Sequence, residues 1–307
     1  MHSQEGAHGQ SGIKASMIPR FLERSGWTGH HLAAAVLLAL SGMAVTWRAW
    51  ADMLRIAHDD QEMSHIFLVP IVAIWIVWVR RTRLRQCRPR GSMLGPVVMG
   101  LGWLMSWYGY GNAIQWFWHA GSVLIVVGGI LAVMGRDLLL RFLPAFLVLV
   151  FLVPIPGAIR SMSLPLQTAT AVVTQSIFEV AGVPVEQAGN TLTINGHMVH
   201  IIEACNGMRL VFTLMLVSYT FAFITPLRNY VRLVILLASP VLAIICNVIR
   251  LVPTVYIHGQ GNKEFAEQFH DVSAWVMIGV AFGMLLGIVR LLQWAMVPIG
   301  KYNLAQD

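Results

Sequence analysis

Residues 206–226 read NGMRLVFTLMLVSYTFAFITP, an apolar run long enough to cross a bilayer as one helix. The run carries its one charged residue, Arg209, in the first turn, and it follows directly on Glu203-Ala-Cys205. A thiol and a guanidinium therefore lie one helical turn apart at the mouth of a span. A charge at such a place is costly and needs a reason to exist, so this stretch predicts a membrane fold and a candidate functional site.

The composition of the whole chain agrees with a membrane protein. Of its 307 residues, 57% are hydrophobic and 11% are charged, whereas soluble domains carry about 25% charged residues. The net charge of +7 does not indicate a nucleic-acid partner, because the basic residues fall in short loops between apolar spans. Eight spans are predicted, near residues 31–48, 65–80, 93–110, 114–134, 138–156, 206–226, 230–251 and 271–293.

The distribution of Lys and Arg predicts the orientation of these spans. Most of the 21 basic residues fall in one set of loops, which includes the arginine-rich stretch 80–90. These loops and both termini are expected on the cytoplasmic side. The predicted fold class is thus an all-α polytopic membrane protein with cytoplasmic tails at 1–30 and 296–307 and one membrane domain at 31–295. The arginine-rich stretch is first a topology anchor and second a contact for anionic lipids.

The segment 157–204 interrupts the spans and is expected on the extracytoplasmic side. Its part 164–181 predicts a helix at the interface or packed on the bundle. Thr191-Leu-Thr-Ile then alternates in polarity, Asn195-Gly196 is a strong hairpin turn, and His197-Met-Val-His-Ile-Ile returns. We therefore expect a small helix and β-hairpin insertion between the fifth and sixth spans, and the hairpin leads straight to Cys205.

Cys205 is the candidate nucleophile. A free cysteine is usually a small buried hydrophobe. Cys205, however, is predicted at a helix N-terminus with Arg209 at position i+4, and both features favour the thiolate. The other cysteines, Cys87 and Cys246, form no CxxC pair with it, so we expect no disulfide scaffold.

Arg250 is predicted at the same membrane face, at the end of the seventh span. One interpretation is an interfacial arginine that reaches the lipid headgroups. Asn247, however, lies one turn deeper, and a polar pair in an apolar helix usually faces the bundle interior. A guanidinium there could stabilise a developing oxyanion.

A histidine is the candidate general acid–base. His270 precedes the eighth span, and the alternative to a catalytic role is a solvated loop histidine. His258 and His65 are rival bases on the same side, and His200 is a weaker one. The sequence contains no HExxH motif and no Cys/His ligand spacing, so we expect neither a metal nor another cofactor.

Glycines recur within the predicted spans. Gly128-Gly129 in the fourth span, and Gly283 to Gly287 in the eighth, are expected to permit close helix packing.

Together these residues resemble the exosortase/archaeosortase family of membrane transpeptidases. The resemblance rests on Ala204-Cys-Asn-Gly-Met-Arg209, on Asn247-Val-Ile-Arg250 and on His270, with weaker similarity at Ser64-His65 and Val153-Pro-Ile-Pro156. It covers residues 45–295. The family more often has Ser than Asn after the cysteine, which leaves the subfamily open.

The resemblance implies a cysteine nucleophile at Cys205 that works with Arg250 and His270, with Arg209 accompanying the cysteine motif. It also implies a location in the bacterial inner membrane and partners among secreted proteins. These partners end in a sorting tail made of a short motif such as Pro-Glu-Pro, one transmembrane helix and a basic cluster. By the same resemblance, such a protein is expected to be cleaved near the motif at the outer face and passed to another anchor. Members of the family often accompany exopolysaccharide genes.

Other interpretations of the same residues remain open. In a transporter or a polysaccharide-handling membrane component, Cys205 and Arg250 would line a pathway without covalent chemistry. An intramembrane protease of another class and a purely structural partner are further alternatives. The oligomeric state does not follow from the sequence.

Overall fold

The computed structural model describes residues 28–88, 90–189, 191–200 and 207–295. The described chain is predominantly helical and contains one small sheet. Short 3-10 helices at Gln61–Phe67, Arg81–Gln86 and Val148–Leu152 connect or extend the longer elements. In chain order, these are α1 Gly29–Val45, α2 Trp47–Asp59, α3 Leu68–Val79, α4 Leu94–Gly111, α5 Gln115–Met134, α6 Arg136–Arg141, α7 Leu143–Leu147, α8 Pro156–Val180, β1 Val185–Ala188, β2 Thr191–Ile194, β3 His197–His200, α9 Gly207–Ile224, α10 Asn229–Gly259 and α11 Lys263–Trp294.

Several of these helices are long and apolar enough to cross a bilayer. Within the described residues they number four, or five if α1 and α2 count as one broken span, because these two helices meet at 78° around Thr46. The membrane class of the fold is confirmed, whereas the predicted number of eight spans is not. The four are Glu62–Val79, Gln115–Met134, Asn229–Gly259 and Glu264–Trp294.

The predicted spans differ from the structure at 138–156, at 271–293 and at 230–251, whose helix continues to Gly259. The first is divided among α6, α7 and a 3-10 helix, because Pro144, which favours the start of a helix, begins a new one there. The last helix begins already at Lys263, since the Asn262 side chain caps it by accepting a hydrogen bond from the Phe265 amide at 3.1 Å.

Helices α4 and α5 pack closely against each other. Gly95, Gly102 and Gly109 are buried and recur every seven residues along α4. A Cβ atom at Gly102 would lie 2.7 Å from the carbonyl oxygen of Gly121 on α5. The two backbones are therefore in direct contact, in the way that small residues permit between membrane helices.

The predicted packing role of the later glycines is half correct. A Cβ at Gly128 would lie 2.6 Å from the backbone nitrogen of Met99, which places Gly128 in the same α4–α5 contact. The expectation for Gly283 and Gly287 is wrong within the described part of the chain. A Cβ atom at either position would meet nothing within 4 Å.

The insertion contains the expected helix and hairpin, together with a strand that the sequence did not reveal. Helix α8 covers 156–180, and β2 and β3 pair antiparallel across Asn195 and Gly196, whose positive φ angles of 51° and 79° suit a type I′ turn. The extra strand, β1, pairs with β2. Its sequence VEQA has low strand propensity, so it depends on its partner strand.

The sheet packs on the end of α10. Leu192 and Ile194 are buried against Leu251 and Val255 of this helix. Gly259 lies under Ile194 so closely that a Cβ atom would come within 2.5 Å of the Ile194 Cγ2. The hairpin is thus seated on the helix that carries Asn247 and Arg250.

Candidate active site

The predicted nucleophile, Cys205, lies outside the described residues, as does Glu203. The description of this part of the chain resumes at Gly207, so the first predicted site residue with a described side chain is Arg209, in the first turn of α9.

Arg250 is a buried cation in the last third of α10. Arg250 is only 3% exposed. Its Nη2 donates a hydrogen bond to Oδ1 of Asn247 in the same helix, at 3.0 Å. Thr254, also buried, donates from Oγ1 to the backbone oxygen of Arg250 at 2.8 Å. An arginine reaching the headgroups would be exposed, so the structure favours the interior position. A charge held there is weakly screened and acts strongly on nearby polar groups.

Arg250 and His270 lie at a similar height on neighbouring helices. The short turn 260–262 joins α10 to α11, which makes the two helices antiparallel neighbours. Arg250 comes nine residues before Gly259 and His270 seven residues after Lys263. At a rise of 1.5 Å per residue, Arg250 is about 13 Å and His270 about 11 Å from the turn. His270 is half-buried, and it lies within a helix, not in the loop that the sequence suggested.

Arg209 connects α9 to α11. Its guanidinium carbon lies 5.8 Å from the ring centroid of Trp275, a cation–π distance. Trp275 follows His270 by five residues on α11. Helices α9, α10 and α11 thus bring Arg209, Arg250 and His270 to one end of the bundle, whereas no described contact joins the three side chains directly.

Among the rival bases, His65 is the one that lies against the first turns of α9. It is buried, and its ring stacks on Phe212 with a centroid distance of 4.8 Å and an angle of 14°. Its Nδ1 donates to the Glu62 carbonyl at 3.0 Å, which leaves Nε2 as the acceptor of the neutral ring. Phe212 is one turn beyond Arg209, so His65 approaches the same end of the bundle.

His258 and His200 are less well placed. His258 lies in the last turn of α10, about 12 Å along the axis from Arg250. His200 ends β3, opposite Thr191 of β2.

A model of the transmembrane exosortase family matches residues 50–287. The chain belongs to the transmembrane exosortase family. The match includes Arg209, Asn247, Arg250 and His270, and it confirms the resemblance inferred from the sequence. Neither the curated proteins nor the solved structures contain a significant match to the chain. Membership of the exosortases implies a transpeptidase-like function in a membrane.

This exosortase also contains a buried polar pair that the sequence analysis missed. His119 of α5 is fully buried, and its Nε2 lies 3.0 Å from Oδ2 of Asp52 on α2. Asp52 follows the first predicted span, 31–48, and it belongs to a helix whose buried residues include Ala49, Met53 and Ala57. The two partners are 67 residues apart, so only the amphipathic pattern of α2 could have indicated a buried contact.

No metal-binding arrangement occurs within the described ranges of the exosortase chain. Groups of three or more His, Cys, Asp or Glu side chains that could hold an ion are absent there.

Proposed function

We propose that this exosortase is a cysteine-dependent membrane transpeptidase that cleaves the C-terminal sorting tail of secreted proteins. The cleavage takes place at the extracytoplasmic face of the bacterial inner membrane, and the protein is passed to another anchor. Cys205 is the nucleophile, Arg250 and Arg209 stabilise the oxyanion, and His270 transfers the proton.

The observation that carries this proposal is the burial of Arg250. A guanidinium held inside an apolar bundle is expensive, and in membrane proteins such groups mark functional positions. Its hydrogen bond to Asn247 fixes the direction of the guanidinium. A cation that is already oriented does not have to reorganise when negative charge develops on a substrate, which is the condition for effective oxyanion stabilisation.

The reaction proceeds in two steps. The Cys205 thiol passes its proton to His270, and the sulfur attacks the peptide carbonyl, so that the oxyanion forms beside Arg250. The C–N bond then breaks, the leaving amine takes the proton from His270, and a thioester remains. In the second step a nucleophile from the acceptor attacks the thioester and restores the thiol. Water as acceptor would make the enzyme a protease.

The substrate is a polypeptide already anchored in the membrane. A tail helix with basic residues on the cytoplasmic side would lie beside the spans and hold its motif at the outer face. Two features support a site at one rim of the bundle. The short strand β3 leads toward residue 205, and the sheet packs on the end of α10.

The experiment is co-expression of a secreted protein bearing a tripartite tail with the wild-type enzyme or with Cys205→Ala. We expect the wild type to shorten the protein by the mass of its tail and Cys205→Ala to leave it uncut. Cys246→Ala is the matched control, because Cys246 is a buried free thiol on α10 and has no proposed role. Trapping the thioester on Cys205 by mass spectrometry identifies the intermediate.

Two outcomes would contradict the proposal. Cleavage by Cys205→Ala at the wild-type rate would exclude Cys205 as the nucleophile. If Cys205→Ala kept partial transport activity and the substrate mass did not change, the result would favour a carrier whose pathway is lined by Cys205 and Arg250.

A further inference from the structure

An apolar groove of about 670 Å³ runs along α3 and α5, away from Arg250. It is open to the surroundings of the bundle, since Ile74 and Trp78 on its wall are 69% and 63% exposed. Its lining side chains are apolar except for Thr28, Arg81 and the ring nitrogens of two tryptophans. The wall contributed by α3 comprises Pro70, Ala73, Ile74, Val77 and Trp78.

The length of the groove matches one leaflet of a bilayer. Its lining extends from Pro70 to Arg81 on one side and from Val123 to Met134 on the other. Each stretch covers eleven residue steps, or about 16 Å of helix. Half of a bilayer's hydrocarbon core is about 15 Å thick, so a single acyl chain fits along the groove from end to end.

The groove ends at Arg81. This side chain is exposed, and its guanidinium carbon lies 4.7 Å from the ring centroid of Trp78. Further arginines surround this end: Arg83 donates to the backbone oxygen of Arg141 at 3.4 Å, and Arg141 in turn donates to Gln86 Oε1 at 2.5 Å.

The charges at this end repel one another. Burial chiefly, and then repulsion from Arg83 and Arg232, lowers the pKa of Arg80 to about 10. Asp137 lies in the same region and acts, like Arg141, on the Cys87 thiol. Within the described ranges, however, no carboxylate lies within 4.0 Å of Arg81 or Arg83. An anion at the Arg81 end would relieve this excess of positive charge.

We propose that the groove is a binding site for a phospholipid with an anionic headgroup. One acyl chain lies along the groove between Pro70 and Arg81, and the phosphate pairs with the guanidinium of Arg81. A transmembrane helix does not fit, because it would need a cylinder about 10 Å wide and about 30 Å long, several times the volume of the groove.

The test uses the purified full chain in detergent and native mass spectrometry. The protein is titrated with dioleoyl phosphatidylglycerol or with dioleoyl phosphatidylcholine, which have the same chains and differ in headgroup charge. We expect phosphatidylglycerol to bind about fivefold more tightly, the effect of one arginine on an anionic headgroup. Inorganic phosphate at the same concentration should not displace it, since it lacks the chain.

Three variants locate the lipid. Arg81→Gln should bind both lipids equally, while Arg290→Gln, which changes an exposed arginine of α11 outside the groove, should keep the preference. Ala73→Phe should weaken the binding of both lipids because its ring occupies the groove, and thermal unfolding of the variant checks that it is folded.

The proposal is overturned by any of three results. These are equal binding of the two lipids by the wild type, an Arg81→Gln variant that behaves like Arg290→Gln, and displacement of phosphatidylglycerol by phosphate. Arg81 is on the surface, so its variant should fold and decides the question even if Ala73→Phe does not fold.

Discussion

Arg250 donates from Nη2 to Asn247 Oδ1 over 3.0 Å, and both residues are buried within one helix of an apolar bundle. The positions i and i+3 lie on the same face of a helix, so the amide is placed to orient the guanidinium. This pair therefore stores an oriented cation in the protein interior.

Replacing Asn247 by Leu should destabilise the protein. The variant removes the acceptor of a buried guanidinium donor, and a loss of this kind costs about 1–3 kcal/mol. Unfolding in mixed micelles titrated with SDS measures the change. The matched control is Ser239→Ala on the same helix, whose buried hydroxyl donates locally to the Leu236 carbonyl at 2.9 Å and whose loss should change the stability little. Equal stability of Asn247→Leu and the control would contradict the prediction.

The identity of the base can be decided with a pair of variants. If His270 transfers the proton, His270→Ala should lower the rate of tail cleavage by about 10²- to 10⁴-fold. His65→Phe should leave the rate nearly unchanged, because a phenyl ring keeps the stack on Phe212. Initial cleavage rates at equal enzyme levels in membranes provide the measurement. A large loss of rate in His65→Phe and a nearly unchanged rate in His270→Ala would identify His65 as the base instead.

The contact between α4 and α5 predicts opposite signs for two glycine substitutions. Gly102→Ala should lower the thermal unfolding temperature, since its Cβ would lie 2.7 Å from the Gly121 carbonyl oxygen. Gly100→Ala should raise it, because no atom of the described residues lies within 4 Å of a Cβ there and alanine favours a helix over glycine by about 1 kcal/mol. Destabilisation of equal size at both positions would show that the close approach is not responsible.

Cys87 should react slowly with thiol reagents. Burial raises the pKa of the Cys87 thiol, against the opposing effect of Arg141, so less thiolate is present at pH 8 than for an ordinary cysteine and the labelling rate should rise with pH. The double variant Cys205→Ala/Cys246→Ala retains Cys87 as its one cysteine. The rate of its labelling by monobromobimane in the folded state, compared with the rate in SDS, measures this protection. Labelling of the folded variant as fast as in SDS would contradict it.

Features that depend on local sequence could be predicted, and those that depend on distant contacts could not. Apolar length revealed the membrane class, and Asn195-Gly196 revealed the hairpin. The spacing of Asn247 and Arg250 suggested a shared face, and the structure places both residues in the interior.

The contacts that were missed join distant parts of the chain. His119 meets Asp52 across 67 residues, and β1 is a strand because β2 pairs with it. The glycines of α11 look like those of α5 in sequence, yet no atom in the described ranges lies within 4 Å of a Cβ at Gly283. Sequence alone does not say which helix faces a small residue.

The glycine contact between α4 and α5 has a consequence for biogenesis. The two helices are consecutive, and the close glycine contacts between them involve only residues 95–132, so they can form while the ribosome is still translating α8. Domains and hairpins with such local contacts assemble early. The helices α9 to α11 follow later in the chain, and buried residues such as Leu214, Ile235 and Leu285 pack them against one another instead of against this pair.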